Sequence, residues 1–267
     1  MSFYRRLKAI LWLHLLRLWR YRVSLLNSAL STTLWILLFL LGALMFTPSH
    51  TMAETVSVAF WGIVMWNIIS NVVNLISGWT RFYLSQGFVE EHMLADTSPF
   101  LVLLCRPITG LSMSLLAVAF TYFIIEALST IPIAVAVEPT VLTLGILFLI
   151  AMSTSIGLIL AALSFRIGVP GMFVEILNFT LLIVGGLTAP IANLPDYLRA
   201  IAVFIPFSYP AELIRLGATG LKPWLPLDVL ISISTALCLA VSLLAFIVIA
   251  WMEDHVRKHG LRAIGRM

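Results

Sequence analysis

Charged side chains are scarce in this sequence. Asp, Glu, Lys and Arg make up only 10% of its 267 residues, and 61% of the residues are hydrophobic. The mean hydropathy is +1.07, whereas soluble domains carry about 25% charged residues. So little charge excludes an ordinary soluble domain, and the composition indicates an integral membrane protein.

Lysine is rarer still, with three residues at Lys8, Lys222 and Lys258. A P-loop needs a glycine-rich run that ends in Lys followed by Ser or Thr, because the backbone amides and the Lys together hold the phosphates. None of the three lysines follows such a run. We therefore expect that the chain does not hydrolyse ATP by this route and that it carries no catalytic residues.

Residues that bind metals or form disulfides are also few. Cys105 and Cys238 are the two cysteines, and their spacing suggests neither a disulfide nor a metal site. Glu90, Glu91 and His92 are adjacent, but consecutive helical residues point about 100° apart and do not converge on one ion. We expect no metal and no cofactor in this chain.

Long apolar runs dominate the sequence. A membrane-spanning helix needs about 20 apolar residues, whereas the strands of a β-barrel would show alternation over about ten residues. The runs are long and continuously apolar, so the sequence predicts an all-α membrane protein with six transmembrane helices. They are Val23 to Phe46, Thr55 to Ser77, Pro107 to Ile131, Thr140 to Phe165, Met172 to Pro190, and Leu227 to Trp251.

Basic residues are divided unevenly between the segments that connect these runs. Thirteen of the 16 Lys and Arg residues lie on the side of the N-terminal segment, and three lie on the other side. Short cytoplasmic loops are enriched in Lys and Arg. We therefore expect both termini in the cytoplasm. The net charge of +4 then reflects membrane topology and requires no nucleic acid.

The first 22 residues are basic and moderately amphipathic. At about 100° per residue, Arg6, Arg17 and Arg20 fall within about 60° of one another, although Ile10 and Leu13 interrupt this face. No small-residue cleavage site precedes the first run, which disfavours a secretory signal. We expect residues 1–22 to form a retained interfacial helix that binds a partner or anchors to lipid.

Residues 188–226 hold six of the twelve prolines. The apolar pieces between them are too short to span a membrane. Asn193 and Ser208 are candidate N-caps for two short helices, and Gly217 and Gly220 are candidate stops. The sequence predicts a pair of half-helices that enter the outer leaflet and turn back before the last span. An external loop with two surface helices is the alternative.

Polar residues recur at helical spacing inside two of the predicted spans. Such residues cost free energy in lipid and face a partner or a cavity. The positions are Asn67, Ser70, Asn71 and Asn74 in the second span and Glu175 and Asn178 in the fifth. Two explanations remain open, namely the lining of an inward-facing pathway and dimer seam, or hydrogen bonding between helices.

Two motifs in the sequence resemble those of the permease subunits of type-2 ABC exporters. In that family the fifth span ends in a glycine-rich, proline-containing stretch followed by "LP", a second Pro and an Arg. The matching residues here are Gly185, Gly186, Pro190, Leu194, Pro195, Pro206, Tyr209, Glu212 and Arg215. The other motif is a short coupling helix between the second and third spans, which here reads SQGFVEEHMLADTSP. The position after Gly87, often Thr in the family, is Phe88.

The resemblance implies one transmembrane domain over residues 1–267 that docks onto a separate ATPase subunit through a cytoplasmic coupling region, residues 78–106. The implied coupling residues are Gln86, Gly87, Phe88, Glu90 and Glu91. The implied re-entrant motif is Pro190, Pro195, Pro206 and Arg215.

The same resemblance implies a dimer with a second permease subunit, identical or different, in the lipid of the plasma membrane. ATP and Mg²⁺ would be bound by the partner ATPase. An amphipathic small molecule or lipid is the first choice of substrate, and a lipid-linked saccharide is the second. A secondary transporter is a weaker alternative, because broken helices would then be expected in both halves of the chain.

Overall fold

The computed structural model describes residues 3–45, 52–95, 97–128, 133–134, 136–169 and 171–260. Eleven α-helices and no strand occur within these ranges, so the predicted all-α class is confirmed. The helices are α1 (Phe3–Arg20), α2 (Arg22–Met45), α3 (Met52–Gln86), α4 (Phe88–Leu94), α5 (Pro99–Leu104), α6 (Pro107–Leu128), α7 (Pro139–Ile167), α8 (Gly171–Val184), α9 (Asp196–Ala202), α10 (Ser208–Thr219) and α11 (Leu227–His259).

Five segments of the described chain are long and apolar enough to cross a membrane. They are Arg22–Gly42, Met52–Gln86, Pro99–Ala127, Pro139–Ile167 and Leu227–His259. The fifth predicted span differs, because helix α8 has only 14 residues and is about 21 Å long at 1.5 Å per residue. A bilayer core is about 30 Å thick, so the six-span count stays a prediction.

Helices α3 and α7 form the centre of the bundle. Of their most apolar windows, 72% and 56% respectively are buried, against 11% for α11. Helix α3 packs against α2, α6, α7, α8 and α10, and α11 packs mainly on α7. The apolar surface of α11 therefore faces outward, where lipid would cover it.

Helix α3 extends further than the predicted second span. It continues to Gln86, so the first nine residues of the predicted coupling region, residues 78–86, belong to α3. The helix ends where Gly87 adopts a left-handed conformation with φ of 73°, which glycine reaches without steric cost. The coupling region is therefore rigidly joined to the central helix of the bundle.

The proline-rich segment contains two short helices, α9 and α10, but the predicted N-caps are wrong. Asn193 lies in a 3-10 turn, and Pro195 occupies the N-cap position of α9. Ser208 is the first residue of α10, and its hydroxyl donates to the Gly185 carbonyl at 2.9 Å. A hydroxyl committed to that long-range bond is not free to cap its own helix.

The predicted stop at Gly217 is also wrong, because α10 continues to Thr219 and ends at Gly220 with φ of 74°. A Cβ atom on Gly217 would lie 2.4 Å from the Leu142 nitrogen. The absence of a side chain at Gly217 therefore allows α10 to pack closely on α7. Ten of the twelve residues of α10 are buried, so α10 is not a surface helix, whereas α9 is largely exposed.

Candidate functional site

The polar residues of α3 and α8 form two neighbouring groups of hydrogen bonds, together called the polar network. The Asn74 amide donates to the Glu175 carboxylate at 3.1 Å and to the Ser70 hydroxyl at 3.2 Å. The Asn178 amide donates to the Asn74 carbonyl oxygen at 3.2 Å. Four of the predicted pathway residues thus meet at the contact between α3 and α8.

A second group of hydrogen bonds on α3 reaches a third helix. The Asn71 amide donates to Asn67 at 3.1 Å and to the Ser114 hydroxyl of α6 at 2.8 Å. Four of the six predicted residues, Asn71, Asn74, Glu175 and Asn178, therefore form hydrogen bonds that join α3 to its neighbours, whereas Asn67 and Ser70 bond within α3. These contacts agree with the explanation of hydrogen bonding between helices. The pathway explanation depends on what the exposed side of the network faces.

Glu175 marks the exposed side of the network. It is exposed on α8, next to exposed apolar residues such as Phe173, Ile176 and Phe179. A charged side chain in the bilayer core costs free energy and therefore faces a protein partner or a water-filled cavity. This face of α8 is thus unsuited to lipid alone.

Two cavities lie along the same face of α3. A groove of about 400 Å³ is lined by Asn71, Asn74, Leu75, Gly78, Trp79 and Phe82. Closer to the start of α3, a cavity of about 560 Å³ is lined by residues that include Phe39, Ile63, Trp66, Leu182 and Pro190. The proline-rich segment therefore forms one wall of the second cavity.

An aromatic cluster around Trp66 forms part of the wall of the second cavity. The Trp66 ring lies 6.3 Å from that of Phe39 and 5.8 Å from that of Phe179, and the Trp66 indole donates to the Asn178 carbonyl at 3.2 Å. The groove and the second cavity thus lie at different levels of α3. Each of them has both polar and apolar lining residues.

A buried ion pair fastens α10 to the turn that follows α8. Arg215 and Glu212 are each 2% exposed and contact each other directly. The Arg215 guanidinium also donates to the Gly186 carbonyl at 2.7 Å and to the Leu187 carbonyl at 3.2 Å. The Glu212 carboxylate accepts from the Ile191 amide at 3.1 Å. We call this pair and its backbone partners the latch.

The prolines of the predicted re-entrant motif mark the ends of local elements. Pro190 precedes the 3-10 turn and Pro195 precedes α9, which suits residues that fix φ and lack an N–H. Pro206 lies in the turn between α9 and α10. Arg199 holds this part of the chain together by donating to Ala192 and Leu194 carbonyls at 2.8 and 3.2 Å.

The predicted coupling residues lie at the junction of α3 and α4. Gln86 and Glu91 are exposed, whereas Gly87 and Glu90 are half-buried. Phe88 packs back onto Phe82 and Tyr83, with ring distances of 5.7 and 6.1 Å. Phe88 therefore fixes α4 against α3, and the exposed surface of α4 carries both Glu91 and Leu94.

A cluster of cationic residues joins α1 to the end of α3. The Arg106 guanidinium lies 3.5 Å from the centre of the Trp79 ring, and that of Arg17 lies 5.6 Å from it. Arg106 also donates to the Tyr83 hydroxyl at 3.1 Å. The cation–π contacts offset part of the cost of burying Arg106, and they hold α1 against the central helix.

His14 of α1 is fully buried beside this cluster. Burial lowers the pKa of His14 from 6.5 to about 4, and the charges of Arg106 and Arg17 act in the same direction. His14 is therefore neutral while α1 packs against the bundle. If α1 separates from the bundle, His14 regains its ordinary pKa and binds a proton below pH 6.5. The packing of α1 therefore weakens as the pH falls from 6.5 towards 4.

We expect the amide protection of α1 in hydrogen exchange to be constant above pH 6.5 and to fall by up to about tenfold per pH unit below it. Protection factors corrected for the intrinsic exchange rate measure this. His14→Leu removes the titrating group and should keep α1 protected at pH 5. Equal loss of protection in both proteins at acid pH would contradict this account of His14.

Comparison with known families identifies the chain. A family model described as "ABC-2 type transporter" matches residues 5–218. This protein belongs to the ABC-2 type transporter family. A search of curated proteins finds no match.

Family membership makes this chain the membrane subunit of an ABC transporter and a multi-pass membrane protein. The ABC-2 match runs from α1 into the last turn of α10. It therefore includes the polar network, the latch and the coupling region. The membrane part of such a transporter lacks ATPase motifs, in agreement with the lysine positions in this sequence.

Several residues of the site were not predicted to belong to it. Ser114 of α6 joins the polar network, and Phe39 and Phe179 complete the aromatic cluster around Trp66. Glu212 matched a family position, but its partner was not identified from the sequence. The i, i+3 spacing of Glu212 and Arg215 was an available signal, because residues at this spacing lie on one helix face.

Proposed function

We propose that this ABC-2 subunit works in an ATP-driven exporter that moves an amphipathic small molecule or lipid out of the cytoplasm. The observation that carries the proposal is the surface along α3, where Asn71 and Asn74 of the polar network line a groove together with apolar side chains, and a second, mainly apolar cavity lies closer to the start of the helix. An amphipathic substrate needs contacts of both kinds along its route.

The exporter is proposed to contain a second permease subunit, identical or different. The exposed face of α8 carries Glu175 among large apolar side chains. A partner subunit on this face would keep the carboxylate away from lipid and would close the groove into a pathway. Glu175 then belongs to the seam and Asn71 and Asn74 line the pathway, while the buried Asn67 and Asn178 support them through hydrogen bonds.

Energy is proposed to come from a separate ATPase subunit that binds ATP and Mg²⁺. The exposed residues Gln86 and Glu91 offer polar contacts to it, while Gly87, Phe88 and Glu90 hold α4 in position. Because α4 follows α3 directly, movement of the docked ATPase would reach the polar network through one continuous helix. No ATP chemistry takes place in this chain.

The proposed location is the plasma membrane, with both termini in the cytoplasm. Arg6 near the start of α1 and Glu253 near the end of α11 line one cavity, which supports placing these two helix ends on one side of the membrane. The excess of Lys and Arg in the segments on that side supports the cytoplasm as the compartment.

A lipid-linked saccharide is the second candidate substrate. Sugar rings stack on aromatic side chains, and Phe39 and Trp66 line the larger of the two cavities along α3. Trp61, in contrast, is buried and donates to the Ala134 carbonyl at 2.8 Å. Competition between saccharide-bearing and saccharide-free lipids for transport separates the two candidates.

Replacement of Asn71 and Asn74 together with Leu tests the pathway. We expect ATP-dependent transport to fall by about tenfold or more, because the groove loses the polar side chains that contact the substrate. Folding should be retained, since hydrogen bonds between membrane helices contribute only about 0.6 kcal/mol each on average. Transport into inverted vesicles and fluorescence-detected size exclusion measure the two quantities.

Ser232→Leu is the matched control, because the Ser232 hydroxyl is exposed on α11, away from the groove, and donates to Asp228 of its own helix at 2.7 Å. Its transport should equal that of the unmodified protein. Unchanged transport by the Asn71 and Asn74 variant in a folded protein would reject the proposed pathway.

A further inference from the structure

The largest cavity described lies away from the polar network. It has a volume of about 960 Å³, is partly open to the surface, and is lined by residues of α1, α5, α7 and α11. Its wall is mainly apolar and includes Phe100, Leu104, Leu158, Phe246 and Ile249. This volume is at the upper end of the range of roughly 300–1,000 Å³ for ligand sites, so the cavity is large enough for a sizeable ligand.

One end of this cavity is charged. Arg6 of α1, Ser98 before α5 and Glu253 near the end of α11 lie there, and the Ser98 hydroxyl donates to the Glu253 carboxylate. The apolar wall begins at this end and follows α7 and α11. Deeper in the cavity, the Ser155 and Ser242 hydroxyls hydrogen-bond each other at 3.1 Å, so they have little remaining capacity to hydrogen-bond a ligand.

The surroundings identify the class of occupant. Helix α11 faces outward over most of its length, with 11% of its apolar window buried, so the cavity lies on a surface that the membrane covers. Protein interiors are close-packed, and a wall of this composition gives water few hydrogen-bond partners. An acyl chain fills such a cavity and gains the dispersion contacts that a void would lose.

The charges at the end of the cavity identify the headgroup. An Arg guanidinium is well suited to bind phosphate, and the Glu253 carboxylate suits an ammonium group. The two charges of opposite sign are complementary to the phosphate and the amine of a zwitterionic phospholipid. An anionic headgroup without an amine would lack a partner for Glu253 and would be repelled by it.

We infer that this cavity is a binding site for one amine-bearing zwitterionic phospholipid of the phosphatidylethanolamine type. Its phosphate contacts Arg6, its ammonium contacts Glu253, and an acyl chain lies between α7 and α11. The lipid joins the interfacial helix α1 to the peripheral helix α11. The inference is independent of the transported substrate, because the cavity shares no lining residue with the two cavities along α3.

Native mass spectrometry of the full-length protein tests the site. The delipidated protein is titrated with phosphatidylethanolamine and, separately, with phosphatidylglycerol. We expect the unmodified protein to bind one phosphatidylethanolamine about tenfold more tightly than phosphatidylglycerol, since a charge-assisted hydrogen bond is worth about one power of ten in affinity. Equal affinity for the two lipids would overturn the headgroup assignment.

Two sets of variants locate the binding. Ala250→Phe and Ala151→Phe fill the cavity from α11 and α7 and should each lower phosphatidylethanolamine affinity by about tenfold or more. Ala240→Phe makes the same change at an exposed position of α11 outside the cavity and should leave the affinity unchanged. Unchanged affinity in both cavity variants would overturn the site.

Glu253→Gln keeps the shape of the side chain and removes its charge, so it remains informative if a cavity-filling variant does not fold. We expect this variant to bind the two phospholipids equally, whereas Asp254→Asn, its neighbour on the exposed surface, should keep the preference for phosphatidylethanolamine. A preference that survives in Glu253→Gln would contradict the proposed contact with the ammonium group.

Discussion

Replacement of Arg215 with Met is expected to destabilise the protein by about 3–5 kcal/mol, the usual cost of removing one partner of a buried ion pair. The variant loses the bonds to the Gly186 and Leu187 carbonyls and leaves the Glu212 carboxylate 2% exposed without its cation. Folded proteins are stable by only about 5–15 kcal/mol. Much of the expressed variant should therefore fail to fold.

Fluorescence-detected size exclusion and thermal unfolding in detergent measure this effect. The matched control is Arg199→Met, because Arg199 also binds backbone carbonyls but its side chain is 42% exposed. An exposed pair contributes at most about 1 kcal/mol, so the control should remain folded.

The double variant Arg215→Met with Glu212→Leu separates the two contributions to the loss. Removal of both charges takes away the uncompensated carboxylate, and a buried ion pair replaced by apolar residues is often neutral in stability. We expect the double variant to recover much of the stability that Arg215→Met loses. A single variant as stable as the unmodified protein, or a double variant no better than the single one, would contradict the account of the latch.

Replacement of Gly217 with Val is expected to prevent correct packing of α10 on α7. A Cβ atom at this position would lie 2.4 Å from the nitrogen and 2.7 Å from the Cα of Leu142. Both are backbone atoms of the central helix α7, so they cannot move aside as a flexible side chain would. Overpacking in a core lowers stability by about 1–3 kcal/mol. We expect the clash of this Cβ with backbone atoms to lower stability by about 3 kcal/mol or more.

The expected result is a large loss of monodisperse protein and of transport. A milder close approach occurs one turn further along α7, where a Cβ on Gly145 would lie 2.8 Å from the Ile214 side chain and 3.0 Å from the Ile214 backbone nitrogen, so Gly145→Val should have a smaller effect. Gly42→Val is the control, because no atom lies within 4 Å of the added Cβ. A Gly217→Val protein that folds and transports normally would refute this account of the contact between α7 and α10.

The sequence was sufficient to predict features that depend on local pattern. Continuous apolar runs predicted the helical class, and the i, i+3, i+4 spacing of Asn67, Ser70, Asn71 and Asn74 placed these residues on one helix face. The two short helices followed from Pro and Gly positions. These signals are local, because each reflects the geometry of a single helix.

Features that depend on contacts between distant segments were not predicted. The Ser208 hydroxyl donates to the Gly185 carbonyl, 23 residues away. Ser208 is therefore the first residue of α10 and not the predicted N-cap before it. Gly217 was interpreted as a helix stop, because a close approach to α7 leaves no local signal in α10. Helix α8 is likewise short because it ends just before Gly185 and Gly186, where the Gly186 carbonyl accepts a hydrogen bond from Arg215 of the latch.

The central claim is that this membrane subunit is driven by a separate ATPase docked near α4. The most direct measurement is purification of the tagged chain from its native membranes, with identification of co-eluting chains by mass spectrometry. We expect a stoichiometric P-loop ATPase that is lost when Gln86→Ala and Glu91→Lys are combined. The ATPase should still co-elute with the Asp228→Lys variant, which makes the same charge change at the start of α11, away from α4. Recovery of the chain alone, with transport driven by an ion gradient, would contradict the account.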